Sequence, residues 1–231
     1  MSFGLSRGKE LDTSGVGTEQ RDLPALPEDL AESPEGAWID FREWFEHPER
    51  RFEIEIGSGK GTFLVQQAAL EPETNFLGME WAGEFYRYAA DRIRRNGFAN
   101  IKMLRADATE ILRHRVPTGT VRVVHLYFSD PWPKMRHHKR RVVQDEFLRQ
   151  CHRVLTDDGE LRIVTDHSEY WEWMNERFDT NAPLDGSGLF TRGEFTKPES
   201  AGEGEVVGTN FERKYRREGR PFHSIILRKS P

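Results

Sequence analysis

At 231 residues the chain suits one α/β domain with additional segments better than two domains with separate cores. With 36% hydrophobic and 32% charged residues it reads as a hydrophilic globular protein, and its net charge of −5 excludes holding nucleic acid through overall positive charge; such binding needs a local patch. No apolar run approaches the ~20 residues that cross a bilayer, the first residues lack a signal peptide's apolar core, and the single cysteine, Cys151, excludes an internal disulfide or a cysteine-based zinc cluster. A cytoplasmic protein without membrane contact is expected, with Cys151 packing on a helix.

In chain order, residues 1–35 carry Gly, Pro, Ser and alternating charges with few large apolar groups, the composition of a flexible tail. The folded domain is expected over 36–231. Trp38, Phe41, Trp44 and Phe45 recur at near-helical spacing until Pro48 interrupts, which predicts a short docked helix. From Arg51 onward, β-type runs (52–56, 75–80, 101–107, 121–128 and 160–165) alternate with helical runs (62–70, 84–96, 108–115, 142–155 and 168–178). In the second helix Phe85, Tyr88, Ala89 and Ile93 are expected on one face, and Asn96-Gly97 supplies the stop. The alternation predicts a Rossmann-like α/β fold, a mostly parallel central sheet with helices on both faces. Residues 181–208, rich in Gly, Glu, Pro and Ser, read as a loop excursion, and 221–229 as a last strand.

The segment Glu55-Ile-Gly57-Ser-Gly59-Lys-Gly61 falls where the first of these strands gives way to the first helix, so its glycines can bring backbone against a ligand at the sheet's carboxyl edge. A phosphate-binding P-loop is excluded: no glycine lies five residues before Gly59, and Lys60 is followed by Gly. A dinucleotide fingerprint fits poorly because the third glycine comes one residue early. A ligand with a cationic centre and an amino-acid tail, such as S-adenosylmethionine, suits the tight loop and the acid before it. Glu80 and Asp107 end the next two runs, where carboxylates can meet ribose hydroxyls and an adenine amino group.

The fourth run leads into Asp130-Pro-Trp-Pro-Lys134-Met-Arg136-His-His-Lys139-Arg140-Arg141. The prolines flanking Trp132 restrict the backbone beside Asp130. The five Lys and Arg residues between 134 and 141 make a positive field in an acidic chain, suited to phosphate contacts. Trp132 serves either to stack on a base or as a wedge under the loop. Adjacent His137 and His138 point in different directions and lack a partner set, so no metal is expected.

Together, EIGSGKG, FSDPWPKMRHHKRR, TDHSEYWEWM and TNFERKY resemble the bacterial tRNA (guanine-N7-)-methyltransferases, from about Trp38 to the C-terminus. The resemblance implies a class I S-adenosylmethionine-dependent methyltransferase acting on tRNA, at a guanine in the variable loop. It implies cofactor contacts from Glu55, Gly57, Gly59, Glu80, Asp107 and Asp130, with Asp130 also catalytic. It further implies that Lys134, Asp166, Thr209, Asn210, Phe211 and Glu212 hold the target guanosine, and that Arg136, His137, His138, Lys139, Arg140 and Arg141 touch RNA. The spacer before Thr209 is longer than the family's usual one, and residues 1–35 match nothing in it. Read without the resemblance, Asp166 and Glu212 are candidate carboxylates only. Two alternatives stay open on the residues: a methyltransferase for an exocyclic amine, whose Asn/Asp-Pro-Pro-aromatic motif Asp-Pro-Trp-Pro loosely matches, and a non-catalytic RNA-binding protein on the same fold. Monomer and homodimer are equally open.

Overall fold

A computed structural model describes Leu5, Gly8 and residues 10–230; Met1, Ser2, Phe3, Gly4, Ser6, Arg7 and Lys9 of the expected tail, and Pro231, lie outside them. The chain divides into two compact units, residues 1–117 and 118–231.

The first unit holds strands β1 (Gly17–Glu19), β2 (Arg51–Ile56), β3 (Thr74–Met79) and β4 (Ile101–Arg105) in the order β1-β4-β3-β2, with every neighbouring pair parallel. Helices α1 (Thr62–Leu70), α2 (Gly83–Arg95) and α3 (Ala108–His114) follow β2, β3 and β4. Every residue of β3 is buried, as a parallel strand covered on both faces requires. Phe76, Leu77, Ile54, Ile101 and Leu104 are inaccessible to solvent; each such side chain contributes about 1.5–3 kcal/mol relative to exposure. Gly78 lies opposite Glu55, and a Cβ there would come within 2.5 Å of Leu64 Cδ1 and 2.6 Å of Met103 Sδ, so α1 packs closely on the sheet. On α2 the buried stripe is Tyr86, Ala89, Ala90 and Ile93, rotated from the expected one; Phe85 and Tyr88 lie at its flank because the two alanines allow the closest approach to the sheet. Gly97, at φ 72°, ends α2 as Asn96-Gly97 predicts.

The N-terminal part departs from the expected flexible tail. Within 1–35, Gly17–Glu19 is a strand: Met103 N donates to Val16 O (2.9 Å), Lys102 Nζ to Gly15 O (2.6 Å), and Arg105 pairs with Glu19 (3.1 Å). Val16 alone anchors it to the core, so backbone and ionic contacts supply what composition does not. The aromatic cluster at 38–45 forms the short docked helix expected of it, as a single 3-10 turn, Phe41–Trp44. Asp40 caps it through Arg42 N, and buried Phe41 packs edge-on against Trp44 at 4.8 Å.

The second unit holds β5 (Val121–Tyr127), β6 (Leu155–Thr165), β7 (Phe190–Gly193) and β8 (His223–Lys229) in the order β5-β6-β8-β7. The β5–β6 pair is parallel and the other two antiparallel. Helices α4 (Asp145–Val154), α5 (Ser168–Asn181) and α6 (Asn210–Arg217) complete it. Leu126, Leu161, Ile163, Leu148, Met174 and Leu227 form its core with Cys151, whose thiol pKa burial pushes up. The stretch 181–208 is more than an excursion: β7 pairs with β8, and Phe190, Ala201 and Val207 are buried. The α/β class expected from the alternation is the one observed, mostly parallel strands interleaved with helices.

Candidate active site

In the first unit, Gly57, Gly59 and Gly61 all take left-handed backbone (φ 75°, 53° and 65°), a conformation that favours glycine. Gly57 N and Ser58 N donate to Met79 O, which ties the loop to the end of β3. Glu80, one residue past β3, accepts from Gly59 N and Ala82 N, each at 2.8 Å, and so couples the loop to the start of α2. Asp107 caps α3, its Oδ1 accepting from Thr109 N (2.9 Å) and Thr109 Oγ1 (2.6 Å). Asp107's own N–H donates to Gln20 Oε1 at 3.0 Å, so a residue just after β1 reaches this acid.

Glu55 differs from both. Its side chain is buried, and Oε2 has no hydrogen-bond partner among the described residues. Burial pushes its pKa up to about 8; a hydrogen bond with Ser58 opposes the rise and the Glu80 charge adds to it. A buried carboxyl with an unsatisfied oxygen beside a glycine loop fits a cationic group of a bound ligand, which would supply the missing partner. Trp81, 71% exposed directly after Glu80, is a further candidate contact that the sequence reading passed over.

In the second unit the segment after β5 carries two non-glycine residues in left-handed backbone, Phe128 (φ 57°) and Trp132 (φ 42°), flanking an exposed Asp130. Asp166, one residue past β6, pairs with Arg220 at 2.6 Å. Tyr215 of α6 lies near both aspartates: its phenol pKa is raised by burial first, then by Asp166, with Asp130 a smaller contributor. Phe128 packs against Tyr215 and Phe222, with ring centroids at 5.9 and 5.8 Å. Lys134, Arg136, Lys139 and Arg140 are exposed along a 3-10 turn, Met135–Arg140, with Arg140 over the Trp132 ring at 5.0 Å.

A family model described as "Putative methyltransferase" matches residues 49–225. The tRNA (guanine-N(7)-)-methyltransferase of Halorhodospira halophila is 33% identical over 217 residues, 92% of this chain and 90% of the relative. The chain belongs to the tRNA (guanine-N7-)-methyltransferase family. Its relative of that name in Alkalilimnicola ehrlichii is 34% identical over 200 residues, 87% of this chain and 81% of that protein. Among solved structures, an aminoglycoside-resistance methyltransferase superposes with TM-score 0.54 at 16% identity, covering 90% of this chain and 95% of that one. A SAM-dependent methyltransferase from Aquifex aeolicus gives 0.51 at 13%, covering 88% and 100%. These last two show that the family member shares the methyltransferase fold.

Two residues that the resemblance assigns to RNA or guanosine contact in this methyltransferase are internal. Arg141 is buried: Nε donates to Pro131 O (2.7 Å), Nη2 pairs with Glu169 (2.9 Å), and the guanidinium lies 5.1 and 5.0 Å from the Tyr170 and Trp173 rings. It therefore leaves the set of RNA contacts and instead fixes the backbone next to Asp130. Arg141→Ala is expected to cost about 1–3 kcal/mol of stability, because it leaves Pro131 O without its donor and removes a buried side chain from beside the Tyr170 and Trp173 rings, read as a lowered urea midpoint. An unchanged midpoint would show that the anchoring is dispensable.

Glu212 is the second correction. It is inaccessible to solvent; Oε1 accepts from Val206 N and Arg216 Nη2, both at 2.6 Å, and Oε2 from Val207 N and Gly208 N, both at 2.8 Å. With both oxygens doubly engaged within the chain it shapes the loop before α6. Thr209 is likewise structural, capping α6 by accepting from Glu212 N at 3.1 Å. Asn210 and Phe211 are exposed, and Phe211 stacks on Tyr215. His137 lies edge-on to Trp132 and His138 to Trp173, two separate partners. Among the described residues no group of three or more His, Cys, Asp or Glu is placed to hold a metal ion, and no helix is long and apolar enough to cross a membrane.

Proposed function

We propose that this protein transfers the methyl group of S-adenosylmethionine to N7 of a guanine in the variable loop of tRNA, in the cytoplasm. The observation that carries this reading is the family match over 49–225, which takes in the Glu55 glycine loop, Glu80, Asp107, Asp130, the cationic 134–140 segment and Asp166. The cofactor supplies an electrophilic methyl on a sulfonium. Glu55, Glu80 and Asp107, with Gly57 and Gly59, hold it, Glu55 by its charge and the glycines by close backbone approach.

Guanine N7 carries an in-plane lone pair and no proton, so it needs no base. That lone pair would take the methyl group that the bound sulfonium supplies, with the C–S electron pair left on sulfur. The protein's task is alignment, worth up to about 7–11 kcal/mol, and stabilisation of the positive charge that develops on the purine. Asp130 supplies that stabilisation. Asp166 accepts hydrogen bonds from the base's N1–H and N2–H edge, which adenine cannot present. Lys134, Arg136, His137, His138, Lys139 and Arg140 hold the RNA.

Incubation with labelled S-adenosylmethionine and unmodified tRNA, followed by mapping of the modified nucleotide, tests cofactor, substrate and atom together. A methyl group on an exocyclic amine would replace this reading with the amine-directed one, and absence of transfer would defeat both. Neutralising Lys139 and Arg140 together is expected to raise the KM for tRNA while leaving that for the cofactor unchanged. The double variant should also lower the salt slope of binding by roughly 0.7–0.9 per lost phosphate contact. Parallel changes in both KM values would remove the RNA role from this segment.

A further inference from the structure

The environment of Asp166 contains a cation shaped like the edge it is assigned to read. Arg220 Nη1 donates to Asp166 Oδ2 at 2.6 Å, and the same guanidinium lies over the Tyr215 ring, 4.1 Å from its centroid. A guanidinium and a guanine share two properties: a planar face that stacks on an aromatic ring, and adjacent N–H donors in one plane that suit a carboxylate. Glu218 holds the other side of the group, accepting from Nε at 2.8 Å and pairing with Nη2 at 2.6 Å. Arg220 therefore has a second anchor to retain it when Asp166 is given up.

We propose that Tyr215 is the stacking platform for the target guanine and that Arg220 occupies the guanine's place on Tyr215 and Asp166 until RNA displaces it. This rests on the reading of the protein as a guanine methyltransferase and adds to it a seat for the base and an internal competitor for that seat. Phe128 and Phe222 back the platform: Phe128 lies 5.9 Å from Tyr215 and 5.8 Å from Phe222, and the backbone of Phe128 is held in its left-handed conformation two residues before Asp130. Phe211, 40% exposed and stacked beside Tyr215 at 6.0 Å, extends the aromatic surface outward. The Arg220 side chain is 41% exposed, so an incoming base can dislodge it without unpacking the core.

The test measures equilibrium binding of an unmodified tRNA transcript to the full-length wild type and to Arg220→Ala, Asp166→Asn, the double variant, Tyr215→Leu and Tyr215→Phe. Arg220→Ala is expected to bind more tightly, by up to about fivefold, the range set by loss of an exposed ion pair. In the Asp166→Asn background the same change should have a smaller effect, because competition for the carboxylate is gone and only that for the Tyr215 ring remains. Tyr215→Leu should weaken binding by at least about fivefold while Tyr215→Phe retains it, as stacking without need of the hydroxyl requires. Cofactor binding in every variant should match wild type, which reports an intact fold. Weaker binding by Arg220→Ala, or an equal change with and without Asp166, overturns the stand-in role, and equal loss in Tyr215→Leu and Tyr215→Phe overturns the platform. A wild type that methylates tRNA through these outcomes leaves the underlying reading in place; a wild type that does not overturns both.

Discussion

Asp130→Ala is expected to reduce the single-turnover rate of methyl transfer by about 10²–10³-fold, the loss typical when one preorganised group facing developing charge is removed. Asp130 is exposed, at the end of a segment fixed by Arg141 at Pro131 O and by backbone pairing of Phe128 N with Val164 O (2.8 Å), so the substitution leaves the packing alone. Stability should stay within about 0.5 kcal/mol of wild type. Asp130→Asn should be nearly as slow, because the amide keeps the shape and loses the charge. A rate within threefold of wild type, about 0.6 kcal/mol, would remove Asp130 from the chemistry.

Glu55→Gln is expected to separate binding from stability. A buried acid whose pKa is raised from 4.5 to about 8 contributes stability that is complete below pH 4.5 and is lost as pH rises through 8. Glutamine carries no such penalty, so the variant should match wild type near pH 4.5 and exceed it at pH 8, by about 3–5 kcal/mol if the whole shift is expressed. Its affinity for S-adenosylmethionine should collapse, since the amide cannot neutralise a cation. In the wild type, binding favours the ionised acid, so affinity should fall by about tenfold per pH unit well below 8, with a proton released on binding near neutral pH. Calorimetry in buffers of different ionisation heat reads the proton, and melting curves at the two pH values read the stability. Identical melting of the two proteins at pH 8 would show that Glu55 is not held as a buried acid.

The strands were legible because their apolar runs are the physical cause of their burial: β2, β3, β5 and β8 fall within about a residue or two of the expected runs. Glu55, Glu80 and Asp107 were legible for a related reason, since a strand end fixes the place of the side chain that follows. What escaped the reading carries little apolar pattern. The strand Gly17–Glu19 is three residues long and held by main-chain pairing, and β7 is four residues long with Phe190 its one buried side chain. Helix α6 buries only Glu212 of its eight residues; the signal that could have found it is Thr209-x-x-Glu212, a helix-capping spacing. Charge runs misled in one place: Arg141 is continuous in sequence with Arg140 yet turns inward, because the aromatic pair Tyr170 and Trp173 and the Glu169 carboxylate on α5 await it. Arg220 could not be singled out, as its pairing with Asp166 joins residues 54 apart in sequence, and Tyr215 gains its place only through Arg220 lying over its ring.

The short strand β1 has a consequence for the behaviour of the protein in concentrated solution. Without it, β4 would offer the hydrogen-bonding groups of five residues to any passing extended chain, an invitation to edge-to-edge aggregation. By lying along that border the segment finishes the first unit's sheet with a margin of three residues, followed at once by Gln20, Arg21 and Asp22 in a tight turn. A stretch whose composition suggests nothing to fold around thus works as a selvedge, and its polar character is what keeps the fabric from being extended.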